Sequence, residues 1–242
     1  MPCSRAFVIV ALANVIVLGG LATMVGLGLY VNIFVLYGGD RAAGMALSGV
    51  GGSVYAGVSY LSVLLAVAMN TRLGKKVSAQ ILLSLTLLGV SSLWFTLRPE
   101  LPYLQLVSTV IIGLGLQGTW MTFFTMAGDV CEEDELVTGL RREGIFSSVG
   151  AFSRKMAVAG AAIFSGWVLH AVGFDAETAA GSGLTPEVSH NLKAAFVAGQ
   201  ALVCLAGLVL ISFYPITRGR AIETQKILAA RRRPHPEPTV SR

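Results

Sequence analysis

Leu101–Gly128 reads LPYLQLVSTVIIGLGLQGTWMTFFTMAG and contains no charged residue. A stretch of about 18 or more such residues is a transmembrane-helix candidate, because about 20 helical residues cross the roughly 30 Å hydrocarbon core. Lipid supplies no water to backbone N–H and C=O groups, so a segment that crosses it here has to be helical. The pattern recurs on both sides. Ala6–Gly39, Ala42–Thr71, Val77–Leu97, Met156–Phe174 and Ala194–Thr217 are uncharged as well, giving six predicted spans.

Composition agrees with that reading. The 242 residues are 54% hydrophobic and 13% charged, whereas soluble domains carry about 25% charged residues. The expected fold is therefore an all-α membrane protein, one six-helix bundle over residues 1–216. After Pro215 the chain turns polar, and residues 217–242, basic and Pro-rich, are expected to form an irregular cytoplasmic tail on the anionic leaflet.

The net charge of +5 does not indicate nucleic acid, because the cations partition by loop. With a cytoplasmic N-terminus and alternating spans, Arg5, Arg72, Lys75, Lys76, Arg141, Arg142, Arg154, Lys155 and all seven Lys/Arg from Arg218 to Arg242 fall inside. Arg41, Arg98 and Lys193 fall outside. Cytoplasmic excess of Lys and Arg sets the orientation of such proteins, so both termini are expected in the cytoplasm of a cell with an inner membrane. Cys3, Cys131 and Cys204 form no even-numbered external set, which argues against a disulfide framework.

Glycines recur within the spans, as Gly19-Gly20, Gly26-x-Gly28, Gly49-x-Gly51-Gly52 and Gly113-x-Gly115-x-x-Gly118. They allow helix backbones to approach closely. The last matches a dinucleotide fingerprint, but that motif needs a preceding strand and a βαβ unit, and here it lies inside a predicted membrane helix.

Two places carry unusual chemistry. From Asp129 to Glu143 lie Asp129, Glu132, Glu133, Asp134, Glu135, Arg141, Arg142 and Glu143. No His accompanies the acids and the spacing fits no EF-hand, so a metal site is not expected. The reading is a loop with salt bridges acting as a latch, its opposite charges joining helix ends in one state and parting in another. The second place is Arg154-Lys155. A fifth helix entering the membrane at Met156 makes the pair a cytoplasmic flank; one beginning near Glu143 puts Lys155 about 18 Å along the helix. Gly144, Ser148, Ala151, Lys155, Ala159, Ala162 and Gly166 share a helical face that is small except for the lysine. Such a face suits close packing or a cavity, and an ionisable residue there is a functional candidate. A lysine snorkelling to the interface is the other reading, and periodicity leaves the two open. Trp120 lies about 13 Å before Asp129 along the fourth helix. Its indole could stack on a sugar ring and donate its N–H to a hydroxyl, or simply pack. Asn14, Gln117 and Gln200 are intramembrane amides that could line a path or bond across helices.

The stretch from Asp129-Val130-Cys131-Glu132-Glu133-Asp134-Glu135-Leu136 through Thr138-Gly139-Leu140-Arg141-Arg142-Glu143-Gly144 to Phe152-Ser153-Arg154-Lys155 resembles the glycoside–pentoside–hexuronide:cation symporters. These are the melibiose-carrier-like branch of the major facilitator superfamily. Arg72-x-Gly74-Lys75-Lys76 is similar to the superfamily's basic loop between helices eight and nine, and Tyr30–Asp40 to the end of helix seven. The resemblance implies cation-coupled symport of a sugar or glycoside by alternating access, with this chain supplying helices seven to twelve. It implies cavity roles for Lys155 and Trp120, and cytoplasmic gate salt bridges for Asp129 and Arg141, with Arg142 and Glu143 in the same turn. The carboxylates that bind the coupling Na⁺ or H⁺ belong to the family's N-terminal half, so a second six-helix half is the expected partner. It could come from an upstream segment, a separate chain or a second copy. A charged residue at Arg154 departs from the family pattern. A truncated, non-transporting remnant and a carrier of another solute such as a lysolipid are the alternatives. Three dispersed histidines and the lack of an H-E-x-x-H motif give an intramembrane enzyme no support.

Overall fold

The computed structural model describes residues 2–140, 142–175 and 184–231. Every regular element among them is helical: α1 (Pro2–Tyr30), α2 (Arg41–Leu73), α3 (Lys75–Thr96), α4 (Gln105–Thr138), α5 (Glu143–Ala171), α6 (Pro186–Ser212) and α7 (Arg218–Arg231). A π-helical segment, Val31–Leu36, prolongs α1, and a 3-10 turn, Pro102–Leu104, leads into α4. Among the described residues, α2, α3, α6 and the segment Pro102–Thr138 are long and apolar enough to cross a membrane. The shorter apolar stretches Ala6–Val17 and Val25–Leu36 lie in and just after α1.

Local chemistry sets the helix ends. The Asp40 side chain accepts the Ala43 N–H at 3.1 Å to cap α2, and Thr185 with Pro186 starts α6 in the same way. A single residue, Gly74 with φ 88°, separates α2 from α3. Only glycine takes that conformation without strain, and the reversal delivers Lys75 and Lys76 to the first turn of α3.

Two expectations about segments are corrected and one open choice is settled. The acidic stretch after Gly128 is not a loop: α4 continues through it to Thr138 and stops at Gly139, whose φ is 70°. Charged residues do not end a helix; they only end its passage through lipid. Of the two possible starts of α5, the structure takes Glu143. The expected irregular tail begins instead with α7, because Arg218–Arg231 finds a surface on the bundle to pack against. Residues 232–242 lie outside the described residues, as do residues 176–183 between α5 and α6.

α4 lies at the centre. It packs along α2 and α3 and, more lightly, along α1; α3 in turn meets α6, α6 meets α1, and α1 meets α5. The α3–α4 contact is backbone to backbone. A Cβ at Gly115 would stand 2.4 Å from Thr86 Oγ1 and 2.5 Å from the Leu82 carbonyl oxygen. A Cβ at Gly20 would likewise stand 2.3 Å from Val203, where α1 meets α6. The glycines of α2 behave differently: Gly49, Gly52 and Gly57 face open space.

Gly115→Ala is therefore expected to destabilise the chain by about 1–3 kcal/mol through overpacking. Gly57→Ala, where the methyl meets nothing, should be neutral or stabilising by about 0.5 kcal/mol. Thermal unfolding of both variants in detergent checks the contrast.

Candidate functional site

Helix α4 presents two faces where its sequence turns acidic. Met126, Asp129, Val130 and Glu133 recur at three- and four-residue spacing and are buried. Phe124, Gly128, Cys131 and Glu135 recur in the same way one step round and line a cleft of about 410 Å³.

On the buried face, Asp129 accepts Lys75 Nζ at 2.5 Å, and the same ammonium donates to the Thr125 carbonyl at 3.0 Å. Asp129 is 4% exposed and the Lys75 side chain 28%, so the carboxylate is the desolvated member and depends on the lysine. One turn on, Glu133 is bound by Arg220 of α7, and Glu132 by the Gln225 amide at 3.0 Å. Arg218 Nη1 donates to the Arg72 carbonyl at 2.7 Å, at the end of α2. Lys76 Nζ donates to the carbonyls of Ser212 and Tyr214 at 2.7 and 2.9 Å, satisfying acceptors that the end of α6 leaves open. The end of the bundle that gathers these charges is thus closed by α7 and by the α2–α3 reversal.

The cleft lies between α1, α4 and α5. Phe7, Val10 and Asn14 line it from α1, and Glu143, Ser147, Gly150, Ser153 and Arg154 from α5. The Arg154 guanidinium sits 5.4 Å from the Phe124 ring centroid, within cation–π range. Behind Phe124 comes Trp120, its ring 5.4 Å away. Trp120 is half-buried against the cluster formed by α1, α3 and α4. Phe124 stands on the cleft wall, and Trp120, the residue expected there, does not line the cleft but lies behind it.

The other expected residues divide. Glu143 lines the cleft; Arg142, at the start of α5, is exposed; Arg141 lies outside the described residues. Asp129 turns away from the cleft to α3. Lys155 is exposed and does not line the cleft. The face that α5 buries is Ala157 and Ala161 with half-buried Arg154 and Ser165, so the small-residue face carrying Lys155 stays open within this chain. Phe124, Arg220 and Gln225 are the residues that sequence reasoning missed, and Arg154, singled out beside Lys155, was given no place in the cleft. Periodicity could have separated Asp129 and Glu133 from Glu132 and Glu135, since the first two follow Met126 at helical spacing.

Apolar membrane-length helices around a cleft, with ion pairs gathered at one end of the bundle, fit a membrane transport protein. The chain belongs to the MFS/sugar transport protein family, which matches residues 3–218. It is similar to the uncharacterized symporter sll1374 of Synechocystis sp. (strain ATCC 27184 / PCC 6803 / Kazusa), with 30% identity over 151 residues. That stretch is 61% of this chain and 28% of the relative, so the chain matches less than a third of the relative's length. No solved structure matches the chain.

Lys75→Met should strand the Asp129 carboxylate and cost up to about 3 kcal/mol, whereas the double variant Lys75→Met/Asp129→Leu should recover most of the loss. A double-mutant cycle from denaturant unfolding in detergent measures the difference. Equal stability of the wild type and Lys75→Met would show that the pair carries no weight.

Proposed function

We propose that this chain forms one six-helix bundle of a cation-coupled transporter for a sugar or glycoside, working by alternating access against a second bundle. In this reading α1 and α5 cross the membrane together with α2, α3, α4 and α6. The charged end lies in the cytoplasm of a cell with an inner membrane, and both termini lie on that side. The observation that carries the reading is the family match over residues 3–218, joined to a cleft whose wall brings Phe124, backed by Trp120, together with Arg154. Aromatic faces suit the apolar side of a sugar ring, and a guanidinium suits its oxygens.

Two exposed faces support the second bundle. On α2, Ala42, Ala46, Gly49, Ser53 and Ala56 are exposed at alternating four- and three-residue spacing. On α5, Gly144, Ser148, Lys155, Ala159, Ala162 and Gly166 are exposed in the same rhythm. Small residues in that register are what a close helix–helix contact in lipid uses, and neither face is used inside this chain. The second bundle covers both and brings Lys155 to the midplane between the bundles, where transporters of this build hold their solutes. The carboxylates that bind the Na⁺ or H⁺ belong to that bundle. Asp129, Arg142 and Glu143 belong to the cytoplasmic end, where salt bridges can form and part as the bundles rock.

Uptake of radiolabelled mono- and disaccharides into proteoliposomes, under an imposed Na⁺ or H⁺ gradient, tests the reading on the full carrier. Lys155→Ala is expected to abolish accumulation while leaving insertion intact. Trp120→Ala should raise the half-saturating sugar concentration about two- to tenfold, with Trp120→Phe in between. Undiminished uptake by Lys155→Ala would remove it from the site. A blot of source-cell membranes with an antibody to the Arg231–Arg242 stretch addresses the second bundle. A band near twice the 25.4 kDa of this chain places both bundles in one polypeptide, and a band at that mass calls for a separate partner or a second copy.

A further inference from the structure

An uninterrupted α-helix pairs each N–H with the carbonyl four residues earlier. In α4 the Gly118 N–H and the Leu114 C=O are such a pair, and a side chain from another helix stands at both. Ser62 of α2 is fully buried. Its Oγ accepts the Gly118 N–H at 2.8 Å and donates to the Leu114 carbonyl at 2.5 Å. Insertion of a side chain into the ladder is one of the identifiable causes of a helix kink. A hydroxyl suits the position because it is donor and acceptor at once. Both backbone groups stay satisfied in a setting where an orphaned one would be costly.

The surrounding sequence makes the insertion possible. A Cβ at Gly118 would lie 3.0 Å from Ser62 Oγ, and one at Gly113 would lie 3.2 Å from Val58 of the same α2 face. On the far side, Gly115 lets the Leu82 carbonyl and Thr86 of α3 come within 2.5 Å of where its Cβ would stand. The turn from Gly113 to Gly118 is thus bare of side chains at three positions and gripped from two sides. The arms of α4 beyond it are held differently. In the first, Ser108 shares hydrogen bonds of 2.7 Å with both Ser92 and Thr96 of α3. The second carries Trp120, Phe124 and the α4 wall of the cleft, meets α5 only slightly, and is tied to α3 through Lys75 at Thr125 and Asp129.

We propose that the Ser62 hydroxyl takes the place of the Leu114–Gly118 backbone hydrogen bond of α4 and makes this turn its flex point. Bending there changes the course of the arm with Trp120 and Phe124 and, with it, the α4 wall of the cleft. The inference rests on the α2–α4 geometry and not on sugar transport. A failed transport assay would leave it standing, and its own failure would leave the transport reading standing.

Hydrogen–deuterium exchange of the full chain in lipid nanodiscs, followed by mass spectrometry of peptides spanning Gly113–Thr122, distinguishes a wedge from a simple tie between helices. If Ser62 interrupts the ladder, Ser62→Ala and Ser62→Gly let Gly118 pair with Leu114 again. Gly118 is hydrogen-bonded in both forms, but a closed ladder opens less often than one bridged by a side chain of another helix, and exchange in this segment then slows about two- to tenfold. Ser62→Thr keeps the hydroxyl and should exchange as the wild type does. If Ser62 only ties α2 to α4, removing it loosens the segment. Unchanged or faster exchange in the Ala and Gly variants overturns the proposal.

Discussion

The backbone contact between α3 and α4 at Gly115 is the constraint on which the rest of the bundle depends. With no Cβ at that position, the two helices approach until the Leu82 carbonyl and Thr86 lie against the α4 main chain. In lipid there is no hydrophobic force between apolar helices, so dispersion at close range and hydrogen bonds across the interface have to hold them. That approach fixes α4 at the centre of the array. It puts Ser92, Thr96 and Ser108 within hydrogen-bond distance of one another, and it aligns Lys75 of α3 with Asp129 of α4 some way along the same pair of helices.

From this follows the division of the acidic residues. A helix turning about 100° per residue cannot present five neighbouring carboxylates to one environment. Asp129 and Glu133 fall on the face held by α3 and α7 and are neutralised there by Lys75 and Arg220. Glu132 and Glu135 fall toward the cleft. The charges that look like one cluster in the sequence therefore do two jobs. One set fastens the charged end of the bundle together, and the other lines an opening beside Arg154.

The helices at the two edges are packed least. α2 and α5 both leave small residues exposed at helical spacing, and α5 buries little beyond Ala157 and Ala161. Lys155 lies on the exposed side of α5. Arg154, one residue earlier and about 100° round the helix, meets Phe124 inside the chain. Adjacent cations thus face different surroundings for a geometric reason alone.

Much of this was legible from the residues. Uncharged runs of membrane length dictate helices, because nothing else satisfies the backbone in lipid, and the described elements occupy all six runs. The sugar-transport family, too, shows in the charged motif after Asp129. What the residues alone could not decide was how far helices run beyond the lipid and what their polar side chains meet. α4 continues through the acidic stretch and α7 folds where a tail was expected, since hydropathy marks where a chain leaves the membrane and not where it stops being helical. Lys75 and Asp129 are 54 positions apart, and Ser62 and Gly118 are 56 apart. Periodicity reports on one helix at a time, so pairings of that range, and the choice of Arg154 over Lys155 for the cleft, came only from the packing of helices against one another.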